Sequence, residues 1–121
     1  MTDNVIDETV LEGLRRYQRA GQPDFPGRIV ALYLDTTPSI LNELETAALA
    51  GDASLMSVAT HRLNSASCAI GASRLASLCH DLEAMARTGQ VPADVTERVQ
   101  GIADEYGRVR AALEMWRSAR R

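Results

Sequence analysis

The chain has 121 residues, 45% of them apolar and 24% charged, with a formal net charge of −3, a size and balance that fit one folded domain over residues 1–121 and give no ground for disorder. Acidic and basic residues are dispersed, so no basic face for nucleic acid is expected. No apolar run approaches the ~20 residues of a membrane span, and Met1-Thr2-Asp3-Asn4 does not open a secretory leader. The two cysteines, Cys68 and Cys79, fit a reducing compartment without a disulfide framework, so a cytoplasmic setting is expected, with no membrane contact by this domain.

Strand signals are weak: aromatics are 4%, β-branched residues do not alternate, and no Asn-Gly or Asp-Gly hairpin turn occurs. Helical spacing recurs in every segment, so the chain reads as all-α. A first helix is expected to begin at Asp7, a carboxylate N-cap, with Ile6 and Leu11 forming a hydrophobic staple, and to end near Ala20-Gly21. A second carries Val30, Leu34, Thr37, Leu41, Leu44 and Ala48 as one stripe, with a kink or break expected near Asp35 to Thr37 because Pro38 removes a backbone donor.

A third helix is expected from Ala53 to Ala69 and a fourth from Ser73 to Thr88. The link Ile70-Gly71-Ala72 is short enough to make them antiparallel neighbours, with Gly71 allowing the turn. Pro92 is expected to open a fifth, whose seam is Val95, Val99, Ile102, Tyr106, Val109, Leu113 and Trp116. Arg117, Arg120 and Arg121 would place basic charge at its last turn, where it suits the helix dipole. The architecture is an antiparallel up-down-up-down four-helix bundle with a short additional N-terminal helix across one end.

On a helical wheel, Leu55, Val58, Ala59, Leu63, Ala66 and Ile70 form one arc, and His61 lies about 140–150° from its centre. His61 is therefore expected to face away from the core. Ser54, Ser57, Asn64, Ser65 and Cys68 share its face, all short enough for a partner surface to approach the imidazole. Arg62 falls at the edge of the arc and must snorkel or meet a polar neighbour.

The run His61-Arg62-Leu63-Asn64-Ser65-Ala66-Ser67, then Ile70-Gly71-Ala72-Ser73-Arg74-Leu75, then Leu78-Cys79-His80-Asp81-Leu82-Glu83 resembles the histidine-containing phosphotransfer (HPt) domains of bacterial multistep phosphorelays. Leu44-Glu45-Thr46-Ala47-Ala48-Leu49-Ala50-Gly51-Asp52 is similar to the segment that precedes the active helix in that family. The likeness runs from about Ile6 to Trp116. Two positions depart from the pattern: Asn64 stands where the family usually has lysine, and Ser65 where it usually has glycine.

The resemblance implies that His61 takes a phosphoryl group from the phospho-aspartate of a receiver domain and passes it to another, acting as the HPt module of a hybrid sensor histidine kinase. Neutral imidazole is the nucleophile, and Nε2 is the expected atom. Asn64 and Ser65 are implied contacts for the phosphoryl oxygens, and Glu83 a polar support for the histidine. Ser57, Cys68 and Met56 are expected on the docking face. The partners implied are the receiver domains of a hybrid kinase and of a response regulator, and the domain itself is expected as a monomer, in the cytoplasm or at the cytoplasmic end of a membrane-bound kinase.

No Walker-type loop, Gly-x-Gly-x-x-Gly loop or carboxylate cluster for Mg²⁺ is found. The domain is thus expected to bind no cofactor, to lack kinase and ATPase activity, and to rely on Mg²⁺ held by the receiver. The alternative is a phosphorylation-independent helical module that binds a receiver domain or another signalling partner. His80 reads as a plain surface residue, and a metal site from His61, Cys68, Cys79 and His80 is disfavoured by the lack of compact ligand spacing.

Overall fold

In the computed structural model the described residues are 5–120. The N-terminal tetrapeptide Met1 to Asn4 and the last basic residue, Arg121, lie outside them, so the expectations placed on those residues do too. The elements are α1 (Glu8–Gly13), a 3₁₀ turn (Leu14–Tyr17), α2 (Phe25–Ala50), α3 (Ala53–Ala69), α4 (Ser73–Ala86) and α5 (Val95–Ala119), and no strand occurs among the described residues. Each long helix packs on the next, and α2 packs on α5 to close the ring. The result is the expected four-helix bundle.

Asp7 caps α1, its side chain accepting from the Thr9 amide at 3.0 Å, and Ile6 and Leu11 are both buried. The first helix nevertheless stops well short of Ala20. After Gly13 the chain tightens into the 3₁₀ turn, and Gln18 then adopts an extended conformation. The Gln18 side-chain amide donates to the carbonyls of Gln22 and Pro23, each at 2.9 Å. A loop whose carbonyls are served in this way competes successfully with another helical turn.

Of the kink or break expected near Asp35 to Thr37, no break occurs: α2 is helical throughout Phe25–Ala50. Pro38 lies on the exposed side, where losing one intrahelical bond costs least, while Thr37, Ile40, Leu41 and Leu44 on the other side are held in the core. Helix α5 starts at Val95 rather than at Pro92, whose carbonyl accepts from the Val95 amide at 3.1 Å. At the far end Arg120 stacks over Trp116, 4.2 Å from the ring centroid, and pairs with Asp24 at 2.8 Å.

The turn between α3 and α4 fixes the N-terminal segment. Gly71 has φ +82°, and a Cβ there would stand 2.7 Å from the Asp7 carbonyl oxygen. The Asp7 amide donates to the Gly71 carbonyl at 2.8 Å. Glycine is thus required twice over, for its backbone angle and for the close approach of α1.

The buried side of α3 differs from the expected arc. Leu55 and Val58 are more than half exposed, while Met56, Ala59, Thr60, Leu63, Ser67 and Ile70 are buried. Thr60 and Ser67 can enter the core because their hydroxyls are satisfied there: Thr60 Oγ1 donates to the Met56 carbonyl at 2.7 Å, and Ser67 Oγ lies 3.0 Å from the Tyr33 hydroxyl. Met56 is therefore a core residue and not part of a docking face.

Candidate functional site

Helices α3 and α4 form the most extensive packing pair in the bundle. Small residues of the pair, Ala59 on α3 and Ala72, Ala76 and Ala86 in and just before α4, are all buried. Helix α3 is set at its start by Asp52, whose carboxylate accepts from the Leu55 amide at 3.0 Å. This arrangement puts His61 on the rim where α3 meets α4.

His61 Nδ1 lies 3.0 Å from Glu83 Oε2. The Glu83 side chain is only 7% exposed, whereas that of His61 is 59% exposed. A carboxylate oxygen can only accept, so Nδ1 carries the proton and donates. In the neutral imidazole, Nε2, across the ring from the buried carboxylate, is then the nitrogen that holds the lone pair. The contact fixes both the tautomer and the ring orientation.

Glu83 Oε2 has a second partner, the Arg87 guanidinium at 2.9 Å, four residues on along the same helix. A buried carboxylate without a compensating charge is costly, and Arg87 supplies that charge from the rim. The i, i+4 spacing of Glu83 and Arg87 is legible in the sequence as a helical ion pair, yet its bearing on His61 depends on a contact 22 residues away in the chain.

The other residues singled out on the His61 face fall into two groups. Ser57 and Asn64 are half-buried, and Ser65 and Cys68 are exposed. Asn64 Oδ1 lies 3.5 Å from Cys68 Sγ, and neither Asn64 nor Ser65 bonds His61. Arg62 meets the polar neighbour its position demanded, Glu43 on α2, at 2.8 Å. Leu55 and Val58, expected in the core from apolarity alone, instead line a shallow groove with Asn42, Thr46 and Arg62 on the α2 side of the histidine.

Cys79, one turn before Glu83, is buried, and burial first and the Glu83 charge second push its thiol up to about 12. It is therefore a neutral core side chain. His80 is exposed. No group of three or more His, Cys, Asp or Glu side chains is placed to hold a metal ion among the described residues, and none of the helices described is long and apolar enough to cross a membrane.

A family model for the Hpt domain matches residues 28–117. The chain belongs to the Hpt domain family. It is a phosphorelay histidine phosphotransfer domain. Its fold is similar to that of histidine-containing phosphotransfer protein B (HptB) from Pseudomonas aeruginosa, with 24% identity, 99% of this chain and 100% of that one covered, and a TM-score of 0.86. It is also similar to the Hpt domain of a sensor hybrid histidine kinase from Shewanella, with 19% identity, 95% of each chain covered and a TM-score of 0.78. The comparison with curated proteins returns no match.

Proposed function

We propose that His61 is the residue of this Hpt domain that carries the phosphoryl group, and that it does so on Nε2. The observation that carries this reading is the 3.0 Å contact from Nδ1 to the buried carboxylate of Glu83, which leaves Nε2 as the free nucleophile. The donor is the phospho-aspartate of a receiver domain, and the Nε2 lone pair attacks its phosphorus in line. A P–N bond forms as the P–O bond to the aspartate breaks, and the aspartate leaves as carboxylate.

The ring keeps its Nδ1 proton throughout and becomes cationic when phosphorylated. Glu83 balances that charge in a site partly screened from water. Retention of this proton also makes neutral imidazole the leaving group when a second receiver takes the phosphoryl group, so the transfer runs in both directions. Mg²⁺, on this reading, belongs to the receiver, and the domain has no kinase or ATPase activity of its own.

Asn64 and Ser65, within one turn of His61, would donate to the phosphoryl oxygens. Ser57 and Cys68 border the histidine along the docking face, and Leu55 and Val58 replace Met56 as its apolar contribution, since they are the exposed apolar side chains of α3. The partners are receiver domains, one in a hybrid sensor kinase and one in a response regulator, with the domain acting at the cytoplasmic side as a monomer.

The test is transfer from phosphorylated cognate receivers to the wild-type domain and to His61→Gln. Acid-labile label is expected on the wild type alone. Absence of label from every cognate donor, with receiver binding retained, would instead identify a phosphorylation-independent binding module.

A further inference from the structure

A phosphoryl group on His61 brings three oxygens and negative charge to the rim of α3 and α4, and some group of this domain must meet that charge when the receiver departs. Asn64 offers no charge. The chain contains no lysine at all, its 13 Lys and Arg positions all being arginine. Arg62, next to His61 in sequence, diverges from it by about 100° on the helix and is taken by Glu43 at 2.8 Å.

Arg87 is differently placed. Its guanidinium and the His61 ring meet on the same oxygen, Glu83 Oε2, at 2.9 and 3.0 Å. The guanidinium nitrogen and His61 Nδ1 are thus separated by at most two hydrogen-bond lengths, about 6 Å. Because α3 and α4 are antiparallel, the turn after Glu83 lies beside the turn before His61, level with Ser57. Arg87 therefore flanks the imidazole on the side opposite Asn64. Its side chain is 65% exposed although the carboxylate it touches is buried.

We infer that Arg87 is a catalytic residue of the transfer, the cation that contacts the phosphoryl oxygens on His61. The inference rests on the proposed role of His61. A guanidinium has five N–H donors in a planar fork, so one can stay on Glu83 while others meet two phosphoryl oxygens. As Nε2 forms its bond to phosphorus and the bond to the leaving group breaks, charge on the equatorial oxygens is met by Arg87 and charge on the ring by Glu83. One ion pair thereby serves both ends of the phosphohistidine.

The test uses phosphoramidate as donor, in which the P–N bond breaks and ammonia leaves, so no partner protein is needed. The rate of His61 phosphorylation and the half-life of the phosphohistidine are followed by phosphorus NMR in wild type, Arg87→Ala, Glu83→Gln and the double variant. The amide oxygen introduced by Glu83→Gln still offers an acceptor to Nδ1. Arg87→Ala is expected to slow phosphorylation about tenfold, with helicity retained and the melting point lowered because Glu83 loses its charge partner, and to keep that tenfold effect in the Glu83→Gln background, where no buried charge is left unpaired.

Failure of the wild type to be phosphorylated on His61 counts against the proposed function itself. Equal rates in wild type and Arg87→Ala overturn the inference alone. So does an Arg87 effect that vanishes once Glu83 is neutral, because Arg87 would then act only by holding that carboxylate.

Discussion

Two buried glutamates, Glu83 on α4 and Glu105 on α5, are built alike and serve different ends. Each is almost fully buried, and each is paired with an arginine one turn further along its own helix, Arg87 at 2.9 Å and Arg108 at 2.9 Å. Each also receives a basic group from a neighbouring helix. For Glu105 that group is Arg74 on α4, at 3.6 Å, a permanent cation. For Glu83 it is the imidazole of His61. The Arg74 guanidinium ties two helices together and has no lone pair with which to attack phosphorus, whereas an imidazole held by one nitrogen leaves the other free to react. What separates a structural carboxylate from a functional one here is the identity of its third partner.

That contrast is sharpest under deletion of each carboxyl group. Glu83→Ala is expected to lower phosphoryl transfer about 100-fold, because the ring loses both its orientation and its fixed tautomer. Glu105→Ala should leave transfer within about twofold of wild type while lowering stability by about 2 kcal/mol in urea unfolding, from the cavity and the lost pairing. The value sits at the low end because Arg74 and Arg108 are exposed and return to water. A large transfer defect in Glu105→Ala would erase the distinction drawn between the two sites.

A smaller effect concerns the buried acids that lack cationic partners. Burial raises Tyr33 above the ordinary tyrosine value of 10.0, and Cys79 is pushed up to about 12 from 9.0. Below the unfolded values both states hold these protons, and stability does not depend on the two groups. Above about pH 9 the unfolded chain ionises while the folded core does not, so stability should fall as pH rises towards 12. Urea midpoints measured from pH 8 to pH 11 check this, and Tyr33→Phe, which also loses the Ser67 bond at 3.0 Å and about 1 kcal/mol with it, should flatten the slope.

The fold is largely legible because periodicity and punctuation agree in this chain. In α5 the seam Val99, Ile102, Tyr106, Val109, Leu113 and Trp116 is buried as spaced, and Gly51 and Gly71 end α2 and α3 with positive φ as their positions suggest. The departures have one cause: a local pattern does not contain the tertiary partner. Apolarity alone points Leu55 and Val58 inward, but Thr60 and Ser67 can be buried once their hydroxyls are bonded, which rotates the core side of α3 towards Met56. Pro38 and the stretch after Gly13 depart from expectation for the same reason, since neither the solvent side of α2 nor the Gln18 side-chain amide is visible to a local pattern.

His61 itself is legible from its exposure among small residues and from the family resemblance. Its link to Glu83 is suggested by that resemblance but its geometry is not, because the two meet across helices. Arg87 escapes a sequence reading because an i, i+4 Glu–Arg pair on a helix is usually only a solvated ion pair.

The most direct measurement of the central claim is the phosphorus NMR spectrum of the phosphorylated domain, with the site mapped by proton–nitrogen correlation of its two imidazoles. A single phosphohistidine on His61 Nε2, with Nδ1 still protonated and no signal in His61→Gln, is the expected result. A phosphoryl group on Nδ1 of His61, or on His80, would contradict the arrangement in which Glu83 holds one nitrogen and presents the other.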